Sequence, residues 1–325
     1  MEENSFSISE QPYGSLFHLY NQEFLQKSVS KKLINPDSLA LAGDGTPVMT
    51  SARERKHHVC DCASKGINDC CCDRYFSQPD CDIGWDSSRS CFYHGYDLYM
   101  LVASDSESDL PVFPLLNPAS RHDSHGFLHT FFRMKSFLPE FNISKLLLDS
   151  AHDAMPVYQY SITPFIDLNE KRGIKVKYKD DFTIGKDGGP VWKEGRRMNH
   201  DGSEPSKNRI KYRCPLASRK HGCSCEHPCS DSKYGRTVPL AIKDNPRLIN
   251  MPPRDSDEWK AEFHARTSAE RSNKREKYDF LLESGRHRPT KMWYCRLYHI
   301  MMLQHLDAWD LPYESALRKL ILQTA

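Results

Sequence analysis

The chain has 325 residues, 27% of them charged and 38% hydrophobic, with a net charge of +2. That is the composition of a folded globular protein with room for a full core and one to two domains. No apolar run approaches the roughly 20 residues a membrane helix needs, and Met1-Glu2-Glu3-Asn4 does not start a signal peptide, so a cytoplasmic chain is expected. Its 12 cysteines then point to metal rather than to a disulfide framework. The charge is uneven. Between Lys171 and Lys220 stand 15 Lys and Arg against 6 Asp and Glu, a local excess that suits a polyanion.

In chain order, a helix is predicted from Ser15 to Lys32, within an N-terminal segment 1–35 that carries no chemistry. In the stretch Leu39-Ala40-Leu41-Ala42-Gly43-Asp44-Gly45-Thr46-Pro47-Val48, a short apolar strand presents Asp44 between Gly43 and Gly45, which leave room for close approach of a metal or of backbone. An Asp-Gly turn is the plainer alternative. Residues 57–91 are dense in ligand types: His57, His58, Cys60, Cys62, Cys70, Cys71, Cys72, Cys81 and Cys91. Paired cysteines bring two thiolates to one side of a tight loop. Two such pairs can complete a tetrahedral zinc site, with Cys60, Cys62, Cys70 and Cys72 named as ligands although the spacing does not fix the four; buried free thiols are the plainer alternative.

Two strands, Tyr96–Ser104 and Leu110–Leu116, are joined by an acidic turn, and a helix follows from Ser124 to Phe137. Leu146-Leu147-Leu148 reads as a strand buried on both faces, ending in Asp149, where open α/β sheets place their chemistry. Ser150 and Asp153 are candidate caps for a short helix to Tyr160, and a strand is expected over Ile162–Leu168. The segment 170–250 breaks this rhythm. Ile174–Tyr178 and Arg209–Tyr212 look like strands of a small basic insertion, and Cys214, Cys223, Cys225 and Cys229 fall within sixteen residues that offer little apolar core. Zinc is expected there also. Trp192 is a candidate for stacking on an unpaired base, beside Arg196 and Arg197, although most tryptophans serve packing.

A long helix is predicted from Ser256 to about Glu283. Phe263, Arg266, Glu270 and Lys277 lie on it at about 0°, 300°, 340° and 320°, a single stripe. A solvated face is the plainer account of such a stripe. An aromatic, Met-rich core helix over Lys291–His305 and a short helix over Tyr313–Gln323 close the chain.

These pieces resemble the DDE transposases of bacterial insertion sequences. Gly43-Asp44-Gly45-Thr46 matches the first acid. Asp149-Ser150-Ala151-His152-Asp153 is similar to the D-x-G-Y-D signature, and Phe263-x2-Arg266-x3-Glu270-x6-Lys277 to Y-x2-R-x3-E-x6-K with Phe for Tyr. The resemblance covers roughly residues 36–310. It implies an α/β fold with an RNase-H-like mixed-sheet core, a zinc-binding β-rich insertion and C-terminal helices. The parts expected are a remnant over 1–35, core over 36–169, insertion over 170–250 and core completion over 251–325. It further implies Asp44, Asp149 and Glu270 as ligands of Mg²⁺ or Mn²⁺, and Phe263, Arg266 and Lys277 as contacts to DNA. The activity implied is metal-dependent cleavage and strand transfer at element ends, by a homodimer in a synaptic complex with terminal repeats and target DNA, in the cytoplasm at the nucleoid. Only 43 residues precede Asp44, where the family carries a longer helical region. A chain that folds yet transposes poorly alone is therefore expected. A zinc-stabilised DNA-binding relic and a metal-dependent nuclease are the alternatives.

Overall fold

The computed structural model describes residues 11–51, 57–58, 60–72, 74–75, 78, 80–159, 162–169, 176–178, 182–185, 187–192, 195–218, 220–224, 230–232, 234–285, 287 and 289–309. The chain divides into two compact units, residues 1–143 with 267–325 and residues 144–266. The second is inserted in sequence into the first.

The first unit begins with helices α1 (Gly14–Tyr20) and α2 (Gln26–Ser30), joined by a π turn over Asn21–Leu25. Strand β1 (Leu39–Met49) follows, and after it come the two-residue strands β2 (His57–His58) and β3 (Arg74–Tyr75), which pair with each other. Strands β4 (Asp82–Asp86), β5 (Cys91–Ala103) and β6 (Leu110–Pro118) complete an antiparallel set in which β5 pairs with β1, β4 and β6. Helix α3 (Asp123–Phe137) packs on this sheet. The unit closes with α6 (Thr267–Lys274) and α7 (Thr290–Trp309). Its core is aromatic. Phe17 of α1 meets Phe113, Phe137 and Tyr298 at ring separations of 5.1, 5.2 and 6.3 Å.

Sequence periodicity placed β1, β5, β6 and α3 within a few residues of where they lie. Strand β4 is different, because its exposed positions are Ile83 and Trp85 while Gly84 and Asp86 face inward. A Cβ on Gly84 would sit 2.6 Å from the Ala119 carbonyl oxygen, so the strand docks through its glycine.

The second unit contains β7 (Ile143–Leu148) and β8 (Thr163–Ile166), a parallel pair with Leu146 beside Pro164 and Leu148 beside Ile166. The connection holds a 3-10 turn and the short α4 (Met155–Tyr158). Parallel and antiparallel pairs thus both occur, and the chain is mixed α/β. Beyond β8 lie three small antiparallel sheets. They are β9 (Val176–Tyr178), β10 (Phe182–Ile184) and β11 (Pro190–Trp192); β12 (Asn199–Glu204) and β13 (Arg209–Arg213) with β16 (Thr237–Ala241); and β14 (Ala217–Ser218) with β15 (Gly222–Cys223). Ile184, Ile210, Tyr212, Leu240 and Leu248 form their common core. Helix α5 (Asp257–His264) ends the unit, capped by Ser256, whose Oγ accepts from Trp259 N at 3.1 Å.

The single helix predicted from Ser256 to Glu283 is not formed. The chain leaves α5 through Ala265, starts α6 at Thr267, then passes into a π turn over Arg275–Asp279 and a 3-10 turn over Leu282–Ser284. Neither Pro nor Gly marks the first break. Amides of Ala265 and Arg266 instead close short bonds to Glu262 and Phe263 carbonyls, which tightens the last turn. The helix predicted over Tyr313–Gln323 lies outside the described residues, and no helix among those described is long and apolar enough to cross a membrane.

Candidate functional site

Asp44 sits on β1 where the buried run Leu39–Gly43 gives way to partly open positions. A cavity of about 390 Å³ opens beside it in the first unit, and its walls include Asp44, Asp97, Asp123, Glu270, Lys274 and Lys277. The strand reaches this point because β5 approaches closely: a Cβ on Gly95 would lie 2.0 Å from the Val48 carbonyl oxygen. Glu270, Asn273, Lys274 and Lys277 come from α6 and the turn after it, spaced so that all four share a face. Asn273 Nδ2 donates to Asp44 at 3.2 Å. Lys277 Nζ donates to the Pro47 carbonyl at 2.7 Å and lies 3.5 Å from Glu283. Burial chiefly pulls the Lys277 ammonium below its usual range, with the Glu283 charge opposing.

Sequence reasoning missed two acids of this cavity. Asp97 is 6% exposed in the middle of β5, and its Oδ2 has no hydrogen-bond partner. Burial first, then the charges of Asp123 and Asp44, push its carboxyl well above the carboxylate range. The signal was a lone charge inside the apolar run Tyr96–Ala103. Asp123, first residue of α3, was hidden because an acid at a helix start is ordinarily a dipole partner.

The other predicted acid, Asp149, belongs to the second unit. It follows β7 and caps the 3-10 turn, accepting from Ala151 N at 3.0 Å and from His152 Nδ1 at 2.5 Å. Burial pushes its carboxyl up, but the His152 hydrogen bond and charge, the Ala151 amide and the Arg266 charge outweigh it and hold the group below the ordinary range. Arg266 lies over the Phe263 ring at 5.5 Å, and Phe263 stacks on Trp259 at 4.6 Å. Asp153 does not cap a helix. It is wholly buried, takes two bonds from Arg247 at 2.8 and 2.7 Å, and accepts from Tyr158 at 3.0 Å and Asn169 N at 2.7 Å. The predicted motifs therefore divide. Asp44, Glu270 and Lys277 line one cavity, whereas Asp149 and Arg266 are electrostatic neighbours in the second unit.

The four cysteines Cys60, Cys62, Cys70 and Cys72 come together as their spacing suggested. Cys60 and Cys70 sulfurs are 3.4 Å apart, Cys62 and Cys72 3.7 Å, and all four lie within 4.8 Å of one another. Zn–S bonds of ~2.3 Å in a tetrahedron require edges of about 3.8 Å, so the donor set and spacing fit a metal ion. A 3-10 turn over Ala63–Lys65, ended by Gly66 at φ 76°, folds the first pair back. The Cys62 amide and the Cys70 thiol bring the Cys60 thiol down to about 7. The Cys62 thiol is pushed up to about 12, first by its bonds to Cys60 and Cys72. Of the other predicted group, Cys214 is buried and Cys223 half-buried, while Cys225 and Cys229 lie outside the described residues.

In the basic segment, Trp192 packs on Phe182 at 4.8 Å with Arg236 over its ring at 4.2 Å. Arg197 pairs with Asp187 and with Asp255, the latter at 2.7 Å. Arg196 is exposed, and its carbonyl accepts from Trp192 N at 2.9 Å. Glu204 gathers Lys207, Arg209 and Lys211, so part of the local positive charge is compensated.

No family model matches this chain, and no curated protein matches it.

Proposed function

We propose that this chain is a DDE-type DNA transposase with an RNase-H-like catalytic core, which cleaves and rejoins phosphodiester bonds with Mg²⁺ or Mn²⁺; Asp44 and Glu270 are its metal ligands in the first unit, and Asp149 is the ligand that the resemblance adds. One observation carries the reading. Asp44 on β1 and Glu270 on α6, distant in sequence, line the same cavity together with Lys274 and Lys277. Divalent ions in such a site activate the attacking oxygen and stabilise the leaving one. The chain's own residues supply the rest. Asn273 orients Asp44 by donating to Oδ2. Lys274 and Lys277 place positive charge where a phosphate would enter, and Lys277 is anchored by Pro47. Burial raises the Asp149 carboxyl, but the His152 hydrogen bond and charge, the Ala151 amide and the Arg266 charge outweigh it and favour the ionised form that a metal ligand uses. In the same proposal the Cys60–Cys72 cluster holds a structural zinc, because a four-thiolate tetrahedral set is the ligand preference of that metal.

The test is nicking and joining of a DNA duplex by zinc-loaded protein with Mg²⁺ or Mn²⁺. Asp44→Asn, Asp149→Asn and Glu270→Gln should each reduce the rate about 100-fold or more, the loss of several kcal/mol of metal-assisted stabilisation. Salt-sensitive DNA binding without any divalent-dependent cleavage would instead identify a binding protein and overturn the reading.

A further inference from the structure

The cavity beside Asp44 holds two carboxylates that the proposed reaction does not use. Asp97 on β5 stands directly opposite Pro47 of β1 on one side and Asn117 of β6 on the other. Directly paired residues of an antiparallel ladder point to the same face, so Asp97 shares a face with Pro47 and Gly45. By the same alternation Asp44 points to the other face, where Asn273 meets it.

Gly45 lies against both acids and, having no side chain, lets the two carboxylates approach each other. A Cβ there would lie 2.9 Å from Asp97 Oδ1 and 3.1 Å from Asp123 Oδ1. Two oxygens that both lie within 3.1 Å of one point are no more than about 6 Å apart, and metal–oxygen bonds of ~2.1–2.4 Å bridge most of that span. Any side chain larger than glycine's would collide with both carboxylates.

The buried side chains supply the independent argument. Asp97 Oδ2 is enclosed without a donor, and beside it the Nδ2 of Asn117, 2% exposed, also has no partner. An enclosed carboxylate oxygen left unpaired costs ~1–3 kcal/mol or more, and a second carboxylate nearby adds repulsion. A hard cation removes both costs at once.

We propose that Asp97 and Asp123 bind a divalent hard cation of the Mg²⁺, Mn²⁺ or Ca²⁺ class over Gly45, with water completing its shell. This site is separate from the ions assigned to Asp44, Asp149 and Glu270.

The experiment counts bound Mn²⁺ by electron paramagnetic resonance in zinc-loaded full-length protein carrying Asp44→Asn and Glu270→Gln. That background removes the ions of the proposed reaction, so the two ideas fail separately. One Mn²⁺ should remain bound, and adding Asp97→Asn or Asp123→Asn should weaken it at least about 10-fold. Gly45→Ala, which keeps both carboxylates but forces them apart, should weaken it as well. Melting curves of each variant identify any that fail to fold, and Asp123→Asn, on a helix start, is the least exposed to that risk. No Mn²⁺ in the background, or retention unchanged by all three changes, overturns the proposal and leaves Asp97 as a protonated core acid.

Discussion

Glu276 offers a quantitative test of how the first unit is held together. It lies in the π turn after α6, wholly buried; Gln304 donates to it at 3.4 Å with Ser272 close by, and Oε2 has no partner. Burial pushes its carboxyl up from the ordinary 4.5 to about 8, with the hydrogen bonds and the Arg275 charge opposing. The native state therefore holds a proton that the unfolded chain releases near 4.5. Between those two values stability must fall as pH rises, by about 1.4 kcal/mol per pH unit and on the order of 5 kcal/mol in all. Glu276→Gln keeps the shape and cannot ionise. Urea unfolding of both proteins at pH 5, 6, 7 and 8 should show the variant gaining on the parent by about 2.5 kcal/mol at pH 7 compared with pH 5. Neighbouring His305, which burial holds down at about 4, destabilises the fold as pH falls from its ordinary 6.5, and it cancels because both proteins carry it. A stability difference that stays flat across this range would refute the reasoning.

Other outcomes follow from the same contacts. Removing metal from the Cys60–Cys72 cluster with a chelator, or Cys62→Ser, should release about one zinc per chain by atomic absorption, and a chain purified without zinc would sink that assignment. Arg247→Met should cost about 3–5 kcal/mol, since it strands the fully buried Asp153 charge; a loss under about 1 kcal/mol in urea unfolding would show the pair to be incidental. If the basic segment grips phosphate, DNA affinity should fall by several decades between about 50 and 200 mM salt for ~6–10 contacts. An unchanged affinity would place the segment away from DNA.

The parts of the fold that were legible are those whose pattern is enforced by burial on a repeating face. β5 and β6 are almost continuously buried, and α3 buries Phe127, Phe131 and Met134 at helical spacing. The Cys60–Cys72 cluster was legible because paired thiols at close spacing have few other uses. The Ser256–Glu283 helix misled because charge periodicity says nothing about hydrogen-bond continuity, and its break carries no Gly or Pro. Asp97 was hidden for the opposite reason: one polar residue barely disturbs an apolar run, and only the register with Pro47 and Asn117 gives it meaning.

The polar inner face of α6 explains why its charged outer face can be placed well. A helix packed by leucines alone can rotate at modest cost, because apolar contacts are non-directional. Here the buried positions are Ser268, Ala269, Ser272 and Asn273 of α6 and Glu276 of the turn after it, and Ser272 and Glu276 both meet Gln304 of α7. Hydrogen bonds of buried groups are directional, and breaking them leaves enclosed polar atoms unpaired. Turning α6 by one residue, about 100°, would break both Gln304 contacts and bury Lys277 or Arg271 in their place. The rotation that satisfies Ser272 and Glu276 is therefore also the one that sends Glu270, Asn273 and Lys277 into the cavity. On this argument Glu276 is a positioning residue for the site as well as a weak point of the fold. Glu276→Leu should disturb Asp44 and its cavity even where the apolar replacement raises the melting temperature, whereas Glu276→Gln should leave them in place.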